Sequence, residues 1–102
     1  MTYKFLGAKT GVKVSAIAYG TMSFGGDADE AGSKALFEAC RAAGVNHFDC
    51  ADMYGAGRAE EILGRLIKDC REEVLVTSKV YFAASKDVNA MGASRRHLMC
   101  AV

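Results

Sequence analysis

The sequence predicts an α/β fold in which about three βα units build a parallel sheet behind an N-terminal β-hairpin. Three observations predict it. Short apolar runs alternate with segments of helical periodicity. The runs Val45-Asn46-His47-Phe48-Asp49 and Val74-Leu75-Val76-Thr77-Ser78 are separated by the most amphipathic stretch of the chain. Asp49 and Lys79 close those two runs thirty residues apart, the length of about one βα unit.

Each element has its own justification. Tyr3-Lys4-Phe5-Leu6 and Lys13-Val14-Ser15 flank the Gly-bounded turn "GAKTG", so residues 1–15 are expected to form a hairpin cap. Ala16-Ile17-Ala18-Tyr19, closed by Gly20, suits a short strand buried on both faces. Asp27 followed by Glu30 has capping-box spacing and opens a helix, along which Ala35, Leu36, Ala39, Cys40 and Ala43 are expected to face the core. Gly44 supplies the left-handed residue that ends it. In the next helix Ala59, Ile62, Leu63, Leu66, Ile67 and Cys70 form an i, i+3, i+4, i+7 stripe, with Glu60 and Glu61 at its start and Lys68 and Arg71 at its end, the order the helix dipole favours. Ser94 is expected to cap a last helix beginning "RRHL".

Composition excludes several classes of function. The 102 residues carry a net charge of +1, with thirteen Lys and Arg dispersed among twelve acids, so no basic footprint for nucleic acid or an anionic membrane is present. No apolar run approaches the ~20 residues that span a bilayer, nor does the N-terminus have a signal-peptide core, and a cytoplasmic location is expected. Cys40, Cys50, Cys70 and Cys100 form no CxxC pair and are expected to be free, buried thiols.

Nucleotide motifs fail on inspection. Gly20-Thr21-Met22-Ser23-Phe24-Gly25 has the outer glycines of a phosphate loop, but Gly26-Asp27 stands where Lys and Ser or Thr are required. Gly55-Ala56-Gly57-Arg58-Ala59-Glu60 lacks the third glycine of a dinucleotide fingerprint, which leaves a dinucleotide-binding half-fold as a runner-up. No His/Cys cluster has metal-ligand spacing, so no metal site is expected.

What remains is Asp49, Tyr54 and Lys79. Parallel α/β folds place their chemistry at the carboxyl ends of strands, where a charged side chain can face a cleft. A phenol is a weak acid at neutral pH, a nearby ammonium favours its ionised form, and a carboxylate can hold that ammonium in place. The three together form a proton-delivery device. The competing readings make Asp49 an Asx cap of the following turn, Tyr54 a lid packed on its loop and Lys79 a solvated strand-end residue. His47 shares the Asp49 face by strand alternation and is read as a packed, hydrogen-bonded histidine.

In these residues the sequence resembles the aldo-keto reductase family. The likeness covers nearly the whole chain: "YKFLGAKTGVKVSAIAYGTMSFGG", the more specific "AGVNHFDCADMYGAGRAEEILGRLI", "VLVTSK" and "SRRHL". The resemblance implies a (β/α)8 TIM barrel that reduces aldehydes and ketones with NADPH through Asp, Tyr, Lys and His. Asp49, Tyr54 and Lys79 match three of these. Tyr54 would protonate the carbonyl oxygen as hydride arrives from the nicotinamide, and Lys79, paired with Asp49, would lower the tyrosine pKa. Gly20, Thr21 and Met22, with Asp49, match positions lining the nicotinamide end of the cofactor site. The family's histidine follows the next strand, and neither His47 nor His97 matches it; a histidine at the place of His47 supports the site in some relatives. The grip on pyrophosphate, adenine and 2′-phosphate comes in the family from the C-terminal half of the barrel.

A closed eight-stranded barrel needs roughly 200 to 250 residues. The chain is therefore expected to be an N-terminal piece of a reductase domain, a partial TIM barrel with residues 16–102 forming the first three βα units and two open sheet edges. Such edges invite self-association. Two functional readings follow: the first third of an NADP-dependent carbonyl reductase, inactive in isolation, or a non-catalytic remnant or interaction module that binds another chain through its sheet edge. By analogy, "DMYGAGRAEEILG" is nearer to short-loop microbial relatives acting on aryl and aliphatic aldehydes than to steroid reductases.

Overall fold

A computed structural model describes residues 1–83 and 85–102. The hairpin pairs β1 (Tyr3–Phe5) with β2 (Lys13–Ser15) antiparallel, Lys4 opposite Val14. The parallel sheet contains β3 (Tyr19–Gly20), β4 (His47–Asp49) and β5 (Leu75–Thr77) in spatial order β3-β4-β5. Helix α1 (Glu30–Ala42) crosses from β3 to β4, and α2 (Arg58–Ile67) crosses from β4 to β5. The short α3 (Arg95–Ala101) follows. Among the described residues the sheet is open, with β3 and β5 each paired on one side only.

Strand β4 is the centre of this arrangement. Phe48 lies opposite Tyr19 on one neighbour and Val76 on the other, and it is completely buried. Strand alternation turns it toward the helices, where its ring stacks 4.9 Å from Phe37 of α1 and 6.3 Å from Tyr19. Phe24, Val45, Cys50, Ala59, Ile62, Leu63, Ile67 and Val74 complete the core. The same alternation gives the opposite sheet face to His47 and Asp49. The hairpin closes the amino end of the sheet: Tyr3 donates to the Gly44 carbonyl at 2.9 Å, and Asn46 accepts from the Ser15 N–H at 2.7 Å.

The second helix forms as its pattern predicts, with Ala59, Ile62, Leu63 and Ile67 buried and Leu66 and Cys70 half-buried. It ends at Ile67, so Cys70 and Arg71 lie beyond it in a turn. Ser94 caps α3 by accepting from the His97 N–H at 3.1 Å. Gly44 follows the α1 cap at φ +85°, and a Cβ there would meet the Met1 side chain at 2.9 Å, so both conformation and space demand glycine.

Several expectations are corrected. The first parallel strand is Tyr19–Gly20 and not Ala16–Tyr19, because Ala16 still bonds to Thr2 as an extension of the hairpin, and Ile17 is 62% exposed. Asp27 does not cap α1. It sits in a turn closed by the Ala28 N–H on the Ser23 carbonyl, while Asp29, in extended conformation, accepts from Gly32. The buried face of α1 carries Ser33 and Phe37; Ala35, Leu36, Ala39 and Ala43 point outward and Cys40 is half-buried. A phenylalanine that can stack on Phe48 removes more apolar area than a row of alanines, so it sets the helix rotation. The later strands are shorter than the runs Val45–Asp49 and Val74–Ser78, and Lys79 lies two residues beyond β5. All four cysteines are free, but only Cys50 is buried and Cys100 is exposed.

Phe48→Ala is expected to cost about 3–5 kcal/mol by leaving a cavity at the sheet centre, whereas Phe82→Ala, at an exposed ring, should change stability by less than about 0.5 kcal/mol. Thermal or urea unfolding followed by circular dichroism reads both. Equal effects would contradict this placement of the core.

Candidate functional site

The carboxyl ends of the three strands are levelled by backbone hydrogen bonds. Thr21, just past β3, donates its N–H to the Asp49 carbonyl at 2.9 Å and its hydroxyl to the same oxygen at 3.1 Å. Cys50, just past β4, donates its N–H to the Thr77 carbonyl at 2.7 Å. Asp52 then donates to the Lys79 carbonyl at 3.1 Å, which carries the β5 exit alongside the β4 exit. The chain after β4 turns through the Tyr54 N–H on the Ala51 carbonyl and enters a 3-10 turn, Tyr54–Gly57. Gly55, Ala56 and Gly57 of this turn all have positive φ, and Ala56 is the non-glycine among them at φ 55°. The reversal brings the tyrosine back over the strand ends.

These elements bring Asp49, Tyr54 and Lys79 together. The Lys79 ammonium donates to Asp49 Oδ2 at 2.9 Å, to the Cys50 carbonyl at 2.5 Å and to Tyr54 Oη at 3.3 Å. Its Nζ lies 4.9 Å from the centroid of the Tyr54 ring. An ammonium has three N–H donors and no acceptor, so these three partners fill its capacity. Partial burial would lower the lysine pKa, but the hydrogen bonds to Asp49 and Tyr54, with their charge interactions, outweigh it and hold the ammonium above its ordinary value. Because Tyr54 Oη accepts from Lys79, its own hydroxyl hydrogen is directed elsewhere.

Around this group the chain supplies an apolar cleft of about 240 Å³, lined in part by Ala51, Met53, Tyr54, Tyr81 and Phe82. The Tyr81 and Phe82 rings meet edge to face, 5.8 Å apart. Sequence reasoning singled out neither aromatic nor the Cys50 carbonyl. The adjacency of "VYF" to Lys79 was a signal for the former, whereas a backbone acceptor leaves no trace in residue identity. His47 bonds away from the cluster, its Nε2 2.9 Å from Thr77 Oγ1, so it is hydrogen-bonded as expected but only half-buried.

The three other sequence-predicted residues sit at the same edge but differ in access. Gly20 pairs with Asp49 and has open space where a Cβ would stand. Met22 is exposed, while Thr21 is fully buried with its hydroxyl engaged on Asp49. Gly20 and Met22 can therefore face a bound molecule; Thr21 holds β3 against β4. Among the described residues, no group of three His, Cys, Asp or Glu side chains is placed to hold a metal ion.

A parallel sheet whose strand ends gather carboxylate, phenol and ammonium is a βα scaffold with its polar groups at the carboxyl edge. The family comparison specifies which one. The aldo/keto reductase family matches residues 16–101, and the chain belongs to that family. An aldo-keto reductase from Bacillus halodurans, solved in its holo form, superposes with a TM-score of 0.82 at 26% identity over 99% of this chain and 34% of that one. The thermostable aldo-keto reductase Tm1743, solved with the inhibitor epalrestat, gives a TM-score of 0.69 at 36% identity over 79% of this chain and 31% of its own. Curated relatives named "Probable voltage-gated potassium channel subunit beta" are 43% identical in Oryza sativa and 38% identical in Arabidopsis thaliana, each over 97% of this chain. The chain spans 31% of the length of either plant relative. The fold is thus that of a TIM-barrel family, represented here by its hairpin and an open three-stranded portion of the sheet.

The charge on Lys79 should leave a mark on stability. A folded-state pKa raised above the unfolded value gives stabilisation that is complete below the ordinary lysine pKa and is lost as pH rises through the folded value. The stability difference between the wild-type chain and Lys79→Met should therefore stay constant between pH 6 and about pH 9 and shrink only in the alkaline range. A difference that instead grew with alkalinity would contradict the raised value.

Proposed function

We propose that this chain is the N-terminal segment of an NADP-dependent aldo-keto reductase domain and supplies the proton-delivery half of carbonyl reduction. The observation that supports this most directly is the Lys79 ammonium bonded at once to Asp49 and Tyr54. On this reading Tyr54 is the acid. Its hydroxyl is free to donate to the oxygen of an aldehyde or ketone seated in the cleft beside Met53, Tyr81 and Phe82. As that proton leaves, negative charge develops on Oη, and the ammonium already bonded there stabilises it without reorganisation. Asp49 and the Cys50 carbonyl keep the ammonium oriented and charged.

A reduced nicotinamide would supply the hydride. Gly20, with open space above it, and the exposed Met22 would meet its ring at the edge beside Asp49. The hairpin, residues 1–15, is then a cap on the amino end, and residues 16–102 are the first βα units of the domain. The cytoplasm is the expected location; no helix among the described residues is long and apolar enough to cross a membrane. A second reading, an interaction module that pairs with another chain, draws support from the unpaired edges of β3 and β5 and from the potassium-channel-subunit names of the plant relatives.

A chimera separates the two readings. In it this chain replaces the matching third of the Bacillus halodurans reductase, to which its backbone is similar. The reductase reading predicts NADPH-dependent reduction of a simple aldehyde, lost by about 100-fold or more in Tyr54→Phe with NADPH affinity nearly unchanged. A folded chimera that binds NADPH but reduces nothing, or a Tyr54→Phe chimera that keeps its rate, would contradict it.

A further inference from the structure

Helix α2 begins in an unusual way. Its cap, Gly57, has no side chain to satisfy the first turn, and the two residues before it, Gly55 and Ala56, are left-handed. Glu60 stands three residues after the cap, the position from which a glutamate ordinarily reaches back to the cap N–H. It does not do so here. Glu60 instead crosses to the next strand exit and accepts a 2.5 Å hydrogen bond from the Ser78 hydroxyl.

Ser78 is the residue before Lys79 and lies beyond the last paired residue of β5, so the sheet ladder does not fix it. Besides the bonds of the Lys79 ammonium, two contacts among the described residues tie this exit segment. One is the Asp52 N–H on the Lys79 carbonyl, and the other is Glu60 on Ser78. The second joins two elements that the reaction needs in register, because α2 grows directly out of the Tyr54 turn. Of the bonds from Lys79, those to Asp49 and the Cys50 carbonyl, both at the β4 end, are shorter than the 3.3 Å bond to Tyr54. The contact to Tyr54 is made from the turn that leads into α2.

We propose that Glu60 and Ser78 are a positioning pair that clamps the start of α2 to the β5 exit and so sets the contact between Lys79 and Tyr54. Neither touches substrate or the reacting atoms. The inference rests on the reading of Tyr54 and Lys79 as the proton-delivery group. Glu60 also carries charge and lines, with Asp52, Ser78 and Lys79, a cleft of about 370 Å³. A purely electrostatic effect on the ammonium, shared with Asp49 and Asp52, is therefore the alternative that the test must separate.

The test follows the Lys79 ammonium by NMR in the lysine-labelled chain, with its resonance assigned by its loss in Lys79→Met. Four variants are titrated. Ser78→Ala and Glu60→Ala remove the clamp; Ser78→Thr and Glu60→Gln preserve a hydroxyl donor and an oxygen acceptor, the latter without charge. Ser78 is exposed and outside the core, so its substitution leaves the fold intact, which circular dichroism on the same samples checks. A clamp predicts that Ser78→Ala and Glu60→Ala move the Lys79 titration downward toward the ordinary lysine value, while Ser78→Thr and Glu60→Gln leave it in place. Any pattern in which Ser78→Ala leaves Lys79 unmoved overturns the proposal, including one in which both Glu60 variants shift it through charge alone. The readout requires neither cofactor nor turnover, so an inactive chimera would count against the reductase reading and not against the clamp.

Discussion

The Lys79 ammonium joins three pieces of chain that the fold would otherwise leave separate: the end of β4 through Asp49, the backbone after it through Cys50, and the reversed turn through Tyr54. A half-exposed lysine forms such a knot only because its partners are held for it. Strand pairing fixes the level of Asp49 against Gly20 and Thr77, and the Thr21 and Cys50 N–H groups fix the carbonyls beside it. The site is a consequence of register, since a one-residue slip of β4 would turn Asp49 into the core and Phe48 out of it.

That register is enforced from the other face. Phe48 fills the space between α1, α2 and Tyr19, and burying a phenylalanine contributes roughly 1.5–3 kcal/mol that the slipped pairing would forfeit. Core and site therefore occupy opposite faces of the same three-residue strand. The arrangement explains how a sheet this small orders polar groups well: the apolar face supplies the stability, and the polar face needs only short, directed bonds. Among the described residues it also leaves β3 and β5 with unpaired backbone on their outer sides, groups that a continued sheet or a second chain would satisfy.

Much of the site was legible in the sequence. Asp49 and Lys79 end β-branched or apolar runs one βα unit apart, and a charged residue in that place has nowhere to go but the carboxyl edge. Tyr54 announces itself through the glycines that follow it, which permit the left-handed turn. The stripe on α2 was equally plain because Ile62, Leu63 and Ile67 contrast with charged neighbours. Helix α1 was harder to read. Its alanines suit either face, so the pattern offered no contrast, and a single residue, Phe37, decided the rotation through a partner distant in sequence. Asp29 and Asp27 are both competent caps in isolation; the turn closed by Ala28 and Ser23, invisible to local spacing, chose between them. Backbone acceptors such as Cys50, and side-chain ties such as Glu60 to Ser78, arise only when strand exits converge.

The filled donor capacity of Lys79 holds the site together, and proton exchange at its ammonium measures it directly. An ammonium with three intramolecular acceptors exchanges slowly with water, while a solvated one exchanges too fast to observe at neutral pH. A nitrogen-detected lysine spectrum of the chain should show a protected ammonium signal that vanishes in Lys79→Met and weakens in Tyr54→Phe and Asp49→Asn. A Lys79 ammonium that exchanges as freely as the exposed lysines would mean that Asp49, Cys50 and Tyr54 are not joined through it.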